Sequence, residues 1–62
     1  MYRRVFWNDL KPGDKVYEKG VMDGALRYYG PYTVASQEDR RLTNKAGRSF
    51  MYYPDDLYMK ES

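Results

Sequence analysis

No stretch of this chain repeats apolar residues at a period of 3.6 over the length of a helix. Short alternating segments are instead cut off, one after another, by Pro, Gly, Asn and Asp. That pattern restricts the chain to small antiparallel β-structure. Residues 2 to 7 place Arg3, Val5 and Trp7 on one side and Tyr2, Arg4 and Phe6 on the other, as an edge strand does. Asn8-Asp9-Leu10-Lys11-Pro12-Gly13-Asp14 reverses the chain around one apolar anchor, Leu10. A strand follows over residues 14 to 19, with Val16 inward, Lys15 outward and Tyr17 along a rim. Residues 20 to 30 follow neither period and read as a long, partly packed loop.

Pro31 opens the next strand, where its missing N–H does least harm, and Tyr32, Val34 and Ser36 share a face through residue 37. Arg40-Arg41-Leu42-Thr43 is a short strand with Leu42 inward, and Asn44-Lys45-Ala46-Gly47 a hairpin loop. Arg48 to Tyr53 is a strand carrying Phe50 and Tyr52 on one face and Met51 and Tyr53 on the other. Pro54-Asp55-Asp56-Leu57 reads as one helical turn, and Tyr58-Met59-Lys60 as the closing strand. The expected fold class is all-β: one domain over residues 1 to 62, a small antiparallel barrel of five to six strands with a 3-10 turn before the last.

Such a chain must be held together without the usual reinforcements. It has no Cys and no His, which removes disulfides and the commonest zinc ligands. Aromatic mass is the substitute: 11 of 62 residues are Phe, Trp or Tyr, and each buries roughly 150–250 Å² when packed. The missing Cys fits a reducing, cytoplasmic setting, and no apolar run approaches the roughly 18 residues of a membrane helix. Two arginines precede only three apolar residues at the amino terminus, too few for a signal peptide. Met1 followed at once by strand-like sequence suggests a complete small gene product, of the kind bacteria and bacteriophages carry as accessory genes.

The order strand, long loop, three-strand meander, helical turn, final strand resembles the Src-homology-3-type small barrel over residues 10 to 60. Leu10-Lys11-Pro12-Gly13-Asp14-Lys15-Val16 is similar to the opening of KOW-type modules of transcription and ribosomal proteins. Phe50-Met51-Tyr52-Tyr53-Pro54 with Leu57 resembles the late strand of plasmid-encoded type II dihydrofolate reductase, also a barrel of this kind. That family lines its pore with Val-Gln-Ile-Tyr. Here Tyr53 matches, but Met51 stands in the Gln place and Tyr52 in the Ile place, so the resemblance implies the shape without the pore chemistry.

Catalysis finds few candidates. With no His, acid-base work falls to carboxylates, and the one adjacent pair, Asp55-Asp56, suits capping of a helical turn after Pro54. Asp9, Asp14, Asp23 and Asp39 have no calcium-loop spacing. Ser36, Ser49 and Ser62 have no base to activate them, and the scattered glycines form no phosphate-cradling loop. Neither a cofactor nor a metal is expected, and no enzyme activity.

Binding has two candidate surfaces. Tyr17, Tyr28, Tyr29, Tyr53 and Pro54 would form an aromatic surface for a protein partner or a second copy of the chain, since tyrosine gives large contact area at low entropy cost. The competing reading makes the tyrosines core filler in a chain short of Leu and Ile. Arg41, Lys45 and Arg48 on the late hairpin, with Arg3 and Arg4 if the first strand pairs at that edge, would form a cationic patch for DNA or RNA. Its bland counterpart is a solvated hairpin that blunts a sheet edge with charge. The modest net charge of +2 places a protein partner ahead of nucleic acid.

Overall fold

A computed structural model describes residues 1 to 61. It is all-β: six antiparallel strands, β1 (Tyr2–Val5), β2 (Lys15–Met22), β3 (Ala25–Ser36), β4 (Arg41–Thr43), β5 (Ser49–Met51) and β6 (Leu57–Lys60), in the order β1-β6-β2-β3-β4-β5. Among the described residues no strand ladder joins β1 to β5, so the sheet is open at those two strands.

Every strand faces one core. Val5, Val16, Val34, Leu42 and Leu57 are buried with Trp7 and Leu10, and Tyr32, Phe50, Tyr52 and Met59 pack against them. The alternation seen in the sequence explains the choice, because register partners such as Val5 and Leu57, or Val34 and Leu42, project to the same face. Tyr32 meets Phe50 edge to face, at 5.4 Å between ring centroids. The Leu10–Asp14 turn docks on β3 through bonds from the Gly13 N–H to the Val34 carbonyl (2.8 Å) and from the Val34 N–H to the Asp14 carbonyl (2.9 Å).

Side chains draw the open ends of the sheet together. Trp7 Nε1 donates to the Pro54 carbonyl at 3.2 Å, and Gln37 Nε2 donates to the Trp7 carbonyl at 3.0 Å. Arg40 Nη1 donates to the Tyr53 carbonyl at 2.6 Å and pairs with Asp55 at 3.0 Å, while its guanidinium lies 6.0 Å from the Trp7 ring. The exits of β1, β3 and β5 are thereby clasped without a backbone ladder.

Two sequence expectations are corrected here. Residues 20 to 30 are no loop but the distal part of a β2–β3 hairpin, paired from Glu18↔Tyr29 to Met22↔Ala25. Its two-residue turn has Asp23 at φ 53° and Gly24 at φ 75°, the left-handed pair whose twist matches that of the flanking strands. The single 3-10 turn lies at Trp7–Asp9, not before the last strand. Residues 54 to 56 only bend, at Asp55, because both carboxylates are drawn sideways: Asp55 to Arg40, and Asp56 to the Tyr52 hydroxyl at 3.1 Å. The helix-capping role expected of this pair is therefore not what they do.

Candidate functional site

The β2–β3 hairpin carries the sheet's second aromatic cluster, on the face opposite the core. Val16 is buried, so Lys15, Tyr17 and Lys19 alternate outward along β2. Tyr17 is the register partner of Tyr58 on β6, Tyr58 of Arg4 on β1, Lys19 of Tyr28 on β3, and Tyr2 of Lys60. The four tyrosines meet. Tyr2 stacks on Tyr28 with centroids 3.9 Å apart and planes 11° from parallel, and meets Tyr17 edge-on at 5.1 Å. Tyr28 meets Tyr58 edge-on at 5.5 Å. Since β6 and β2 lie between β1 and β3, stacking of Tyr2 on Tyr28 shows how tightly the sheet coils.

Cations ring this cluster. Lys19 Nζ lies 5.1 Å from the centre of the Tyr58 ring, and the Arg4 guanidinium 5.1 Å from that of Phe6. Hydrogen bonding with Tyr58 holds the Lys19 ammonium above its ordinary pKa, despite the nearby Arg4 charge. Lys15 donates to the Thr33 hydroxyl at 2.7 Å and extends the charged rim toward β4, where Arg41, next to buried Leu42, faces the same side.

The acids are elsewhere. Among the described strands Glu18 is the only acidic residue, whereas Arg3, Arg4, Lys15, Lys19, Arg27, Arg41 and Lys60 all lie in strands. Glu18 turns to the core side, opposite Leu57, and accepts from the Tyr32 hydroxyl at 3.3 Å. The remaining described acids sit in turns and strand ends, among them Asp14, which accepts from the Lys11 N–H, and Glu61, which pairs with Arg3 at 2.9 Å. A chain of nearly balanced charge thus presents one face of tyrosine, lysine and arginine with no carboxylate in its strands.

The aromatic surface expected from the sequence is divided by this geometry. Tyr17 and Tyr28 belong to the outer cluster, Tyr29 is on the opposite side of β3 with its ring against Gly20, and Tyr53 and Pro54 are exposed at the clasp. The five do not form one surface. The condition for Arg3 and Arg4 to join the cationic hairpin is not met: β1 pairs with β6, with no ladder to the strands that carry Arg41, Lys45 and Arg48. Trp7 is buried, and Tyr52 packs against the core with its hydroxyl on Asp56, so neither belongs to the outer cluster. The sequence reading missed Tyr2, Lys19 and Lys60. Lys19 lies inside the strand expected over residues 14 to 19 and alternates with Lys15 and Tyr17, while Tyr2 and Lys60 join them only through the pairing of β1 and β2 on either side of β6.

Three described features bear on other chemistry. Among the described residues no cluster of acidic side chains approaches metal-binding geometry, and no helix is long and apolar enough to cross a membrane. Ser36 Oγ accepts from the Asp39 N–H at 3.2 Å and Ser49 shares a hydrogen bond with Thr43 at 3.1 Å, while Ser62 lies outside the described residues. Comparison with known protein families, curated proteins and solved structures finds no match to this chain.

Proposed function

We propose that this chain is a non-catalytic binding module that takes single-stranded nucleic acid on the outer face of its sheet, through Tyr2, Tyr17, Tyr28 and Tyr58 with Arg4, Lys15, Lys19 and Lys60. The observation that carries the reading is the distribution of charge: Arg4, Lys15, Lys19, Arg41 and Lys60 project to the tyrosine face, whereas the one strand acid, Glu18, turns to the core side along with Arg3 and Arg27. Phosphate neutralisation beside aromatic rings is the combination that tracks a strand without reading its sequence. We read the architecture as the Src-homology-3 type, supported by the six coiled antiparallel strands around one core.

Fluorescence anisotropy of a labelled oligothymidylate across a salt series tests this. With four cations engaged, log K is expected to fall against log salt with a slope of about −3, from about −0.7 per neutralised phosphate on a single strand. Replacing Arg4, Lys19 and Lys60 together by Ala is expected to flatten that slope by about 2. Absence of binding at low salt eliminates the reading.

A second reading, docking on a protein or on a second copy, has its own observation. Val21, Met22 and Leu26 are 73%, 51% and 56% exposed at the tip of the β2–β3 hairpin, an apolar end on a ribbon with no neighbouring strand. Sedimentation of the wild type beside Val21→Asp checks self-association: a monomer in both removes the second copy as occupant.

A further inference from the structure

A cleft of about 430 Å³ lies on the core side of β3, where Tyr29, Gly30, Pro31 and Tyr32 face Asn44, Lys45 and Ala46 of the β4–β5 loop. Small-molecule sites occupy roughly 300–1,000 Å³, mostly apolar with a few placed polar groups. Three physical features narrow what this one takes. Two tyrosines and a proline ring line it, surfaces on which a flat ring stacks. Asn44 Oδ1 accepts from the Ala46 N–H at 2.9 Å and the Arg48 N–H at 3.0 Å. Because that oxygen is taken by two backbone donors, the orientation of the amide is fixed and its NH₂ group is the part left to donate. Lys45 is exposed beside it, and residues 44 to 49 contain Lys45 and Arg48 but no acid. Glu18, the nearest strand carboxylate in register, is engaged by the Tyr32 hydroxyl.

We infer that this cleft seats one nucleoside monophosphate unit, its base against Tyr29 and Pro31, an acceptor on the base edge bonded by the Asn44 amide, and its phosphate on Lys45. Resting on the single-strand reading, the inference places one base of a bound strand here: β3 has no partner beyond Thr33 on its β4 side, so a strand on the outer face reaches the cleft across the free edge beside Tyr28. The same chemistry describes a free nucleotide, and the experiment separates the two sources.

The test is a nuclear magnetic resonance titration of the wild-type chain with adenosine 5′-monophosphate, with inorganic phosphate, and with oligothymidylate. The nucleotide is expected to move the Asn44 side-chain amide and the Tyr29 and Tyr32 ring signals saturably, while phosphate alone leaves the rings unmoved. Tyr29→Ala is expected to weaken nucleotide binding about 5- to 150-fold, the range for loss of one stacked base. Lys45→Glu, at an exposed position without hydrogen bonds, preserves the fold and is expected to weaken it at least about fivefold. Ring and amide signals indifferent to the nucleotide overturn the inference, even if oligothymidylate binds the outer tyrosines. Conversely, a nucleotide seated in the cleft of a chain that ignores oligothymidylate supports the cleft as a free-nucleotide site and removes the outer-face reading.

Discussion

Arg40 is the residue on which closure of this sheet depends most, and two substitutions there separate its side-chain role from its backbone role. The residue has φ 51°, in the left-handed region, while its guanidinium holds the Tyr53 carbonyl and Asp55 and leans on Trp7. A hydrogen bond from a charged donor contributes about 1.5–3 kcal/mol when sheltered, and an exposed ion pair about 0–1 kcal/mol. The paired side chains are 38% and 60% exposed, so solvent screening brings the expected loss for Arg40→Ala to about 1.5 kcal/mol. At roughly 4–8 °C per kcal/mol for so small a domain, the Tm should fall by about 6–12 °C. Arg40→Gly loses the same bonds but frees the left-handed backbone from a Cβ. That relief, about 1–2 kcal/mol, exceeds the added entropy of glycine, about 0.5–1 kcal/mol. Arg40→Gly should therefore be the more stable of the two by about 0.5–1 kcal/mol. Urea unfolding followed by far-ultraviolet circular dichroism, with the emission of the single tryptophan as a second probe, measures both. An Arg40→Ala midpoint equal to the wild type would refute the clasp, and Arg40→Gly no better than Arg40→Ala would refute the backbone argument.

Leu42→Ala opens a cavity at a position with 0% exposure; the expected loss of about 2–5 kcal/mol is set against roughly 3–9 kcal/mol for a chain this size, so calorimetry should find little folded protein at 37 °C. Alkaline pH acts through Tyr52 and Tyr32, whose hydroxyls burial pushes above the ordinary 10.0, reinforced by the bond to Asp56 for Tyr52 and by Glu18 for Tyr32. Folded values above the unfolded one mean that this stability is complete below pH 10 and is lost as pH rises beyond it. Spectrophotometric titration in the ultraviolet should show these two tyrosines ionising at higher pH than tyrosine in the unfolded chain, and Tyr52→Phe should lose about 0.5–1.5 kcal/mol at pH 7 while showing a shallower decline in alkali.

The core was legible because it depends on period alone. Val16, Val34 and Leu42 each sit among neighbours that alternate with them, and all three are fully buried; Leu57, read as the end of a helical turn, is instead the buried first residue of β6. Leu10 was legible as the lone apolar residue of a turn. Failure came where local signals conflicted. Gly20, Gly24 and Gly30 suggested a loop, although Asp23-Gly24 is itself a hairpin signal, and Gly20 leaves room for the Tyr29 ring, which lies 2.9 Å from where its Cβ would be. The helical turn expected at Pro54 was lost to partners distant in sequence, since Trp7 takes the Pro54 carbonyl and Arg40 the Tyr53 carbonyl and the Asp55 carboxylate. The outer site was invisible for the same reason. Its strands were read, but not which of them are neighbours: Tyr2, Tyr17 and Tyr58 come together only because β6 lies between β1 and β2.

That outer cluster also has a structural duty. β1 is a four-residue terminal strand held by β6 alone, and the Tyr2 ring ties it across the sheet to Tyr28 and Tyr17. Aromatic pairs add about 0.5–1.5 kcal/mol each beyond area burial, so Tyr2→Ala, which removes two, should cost about 1–3 kcal/mol. Tyr2→Phe retains both ring contacts and should cost almost nothing. Hydrogen exchange gives the finer readout: in Tyr2→Ala the β1 amides should exchange far faster while those of β3 and β4 keep their protection. On the proposed function, a strand bound on this face would bridge β1 and β3 as the ring does. Oligonucleotide at 100 times its Kd should stabilise the wild type and Tyr2→Phe by about 2.7 kcal/mol and restore part of the β1 protection in Tyr2→Ala. Unchanged β1 exchange in Tyr2→Ala would show that the stacked rings brace nothing, and oligonucleotide without effect on exchange in any of the three would move the binding site off this face.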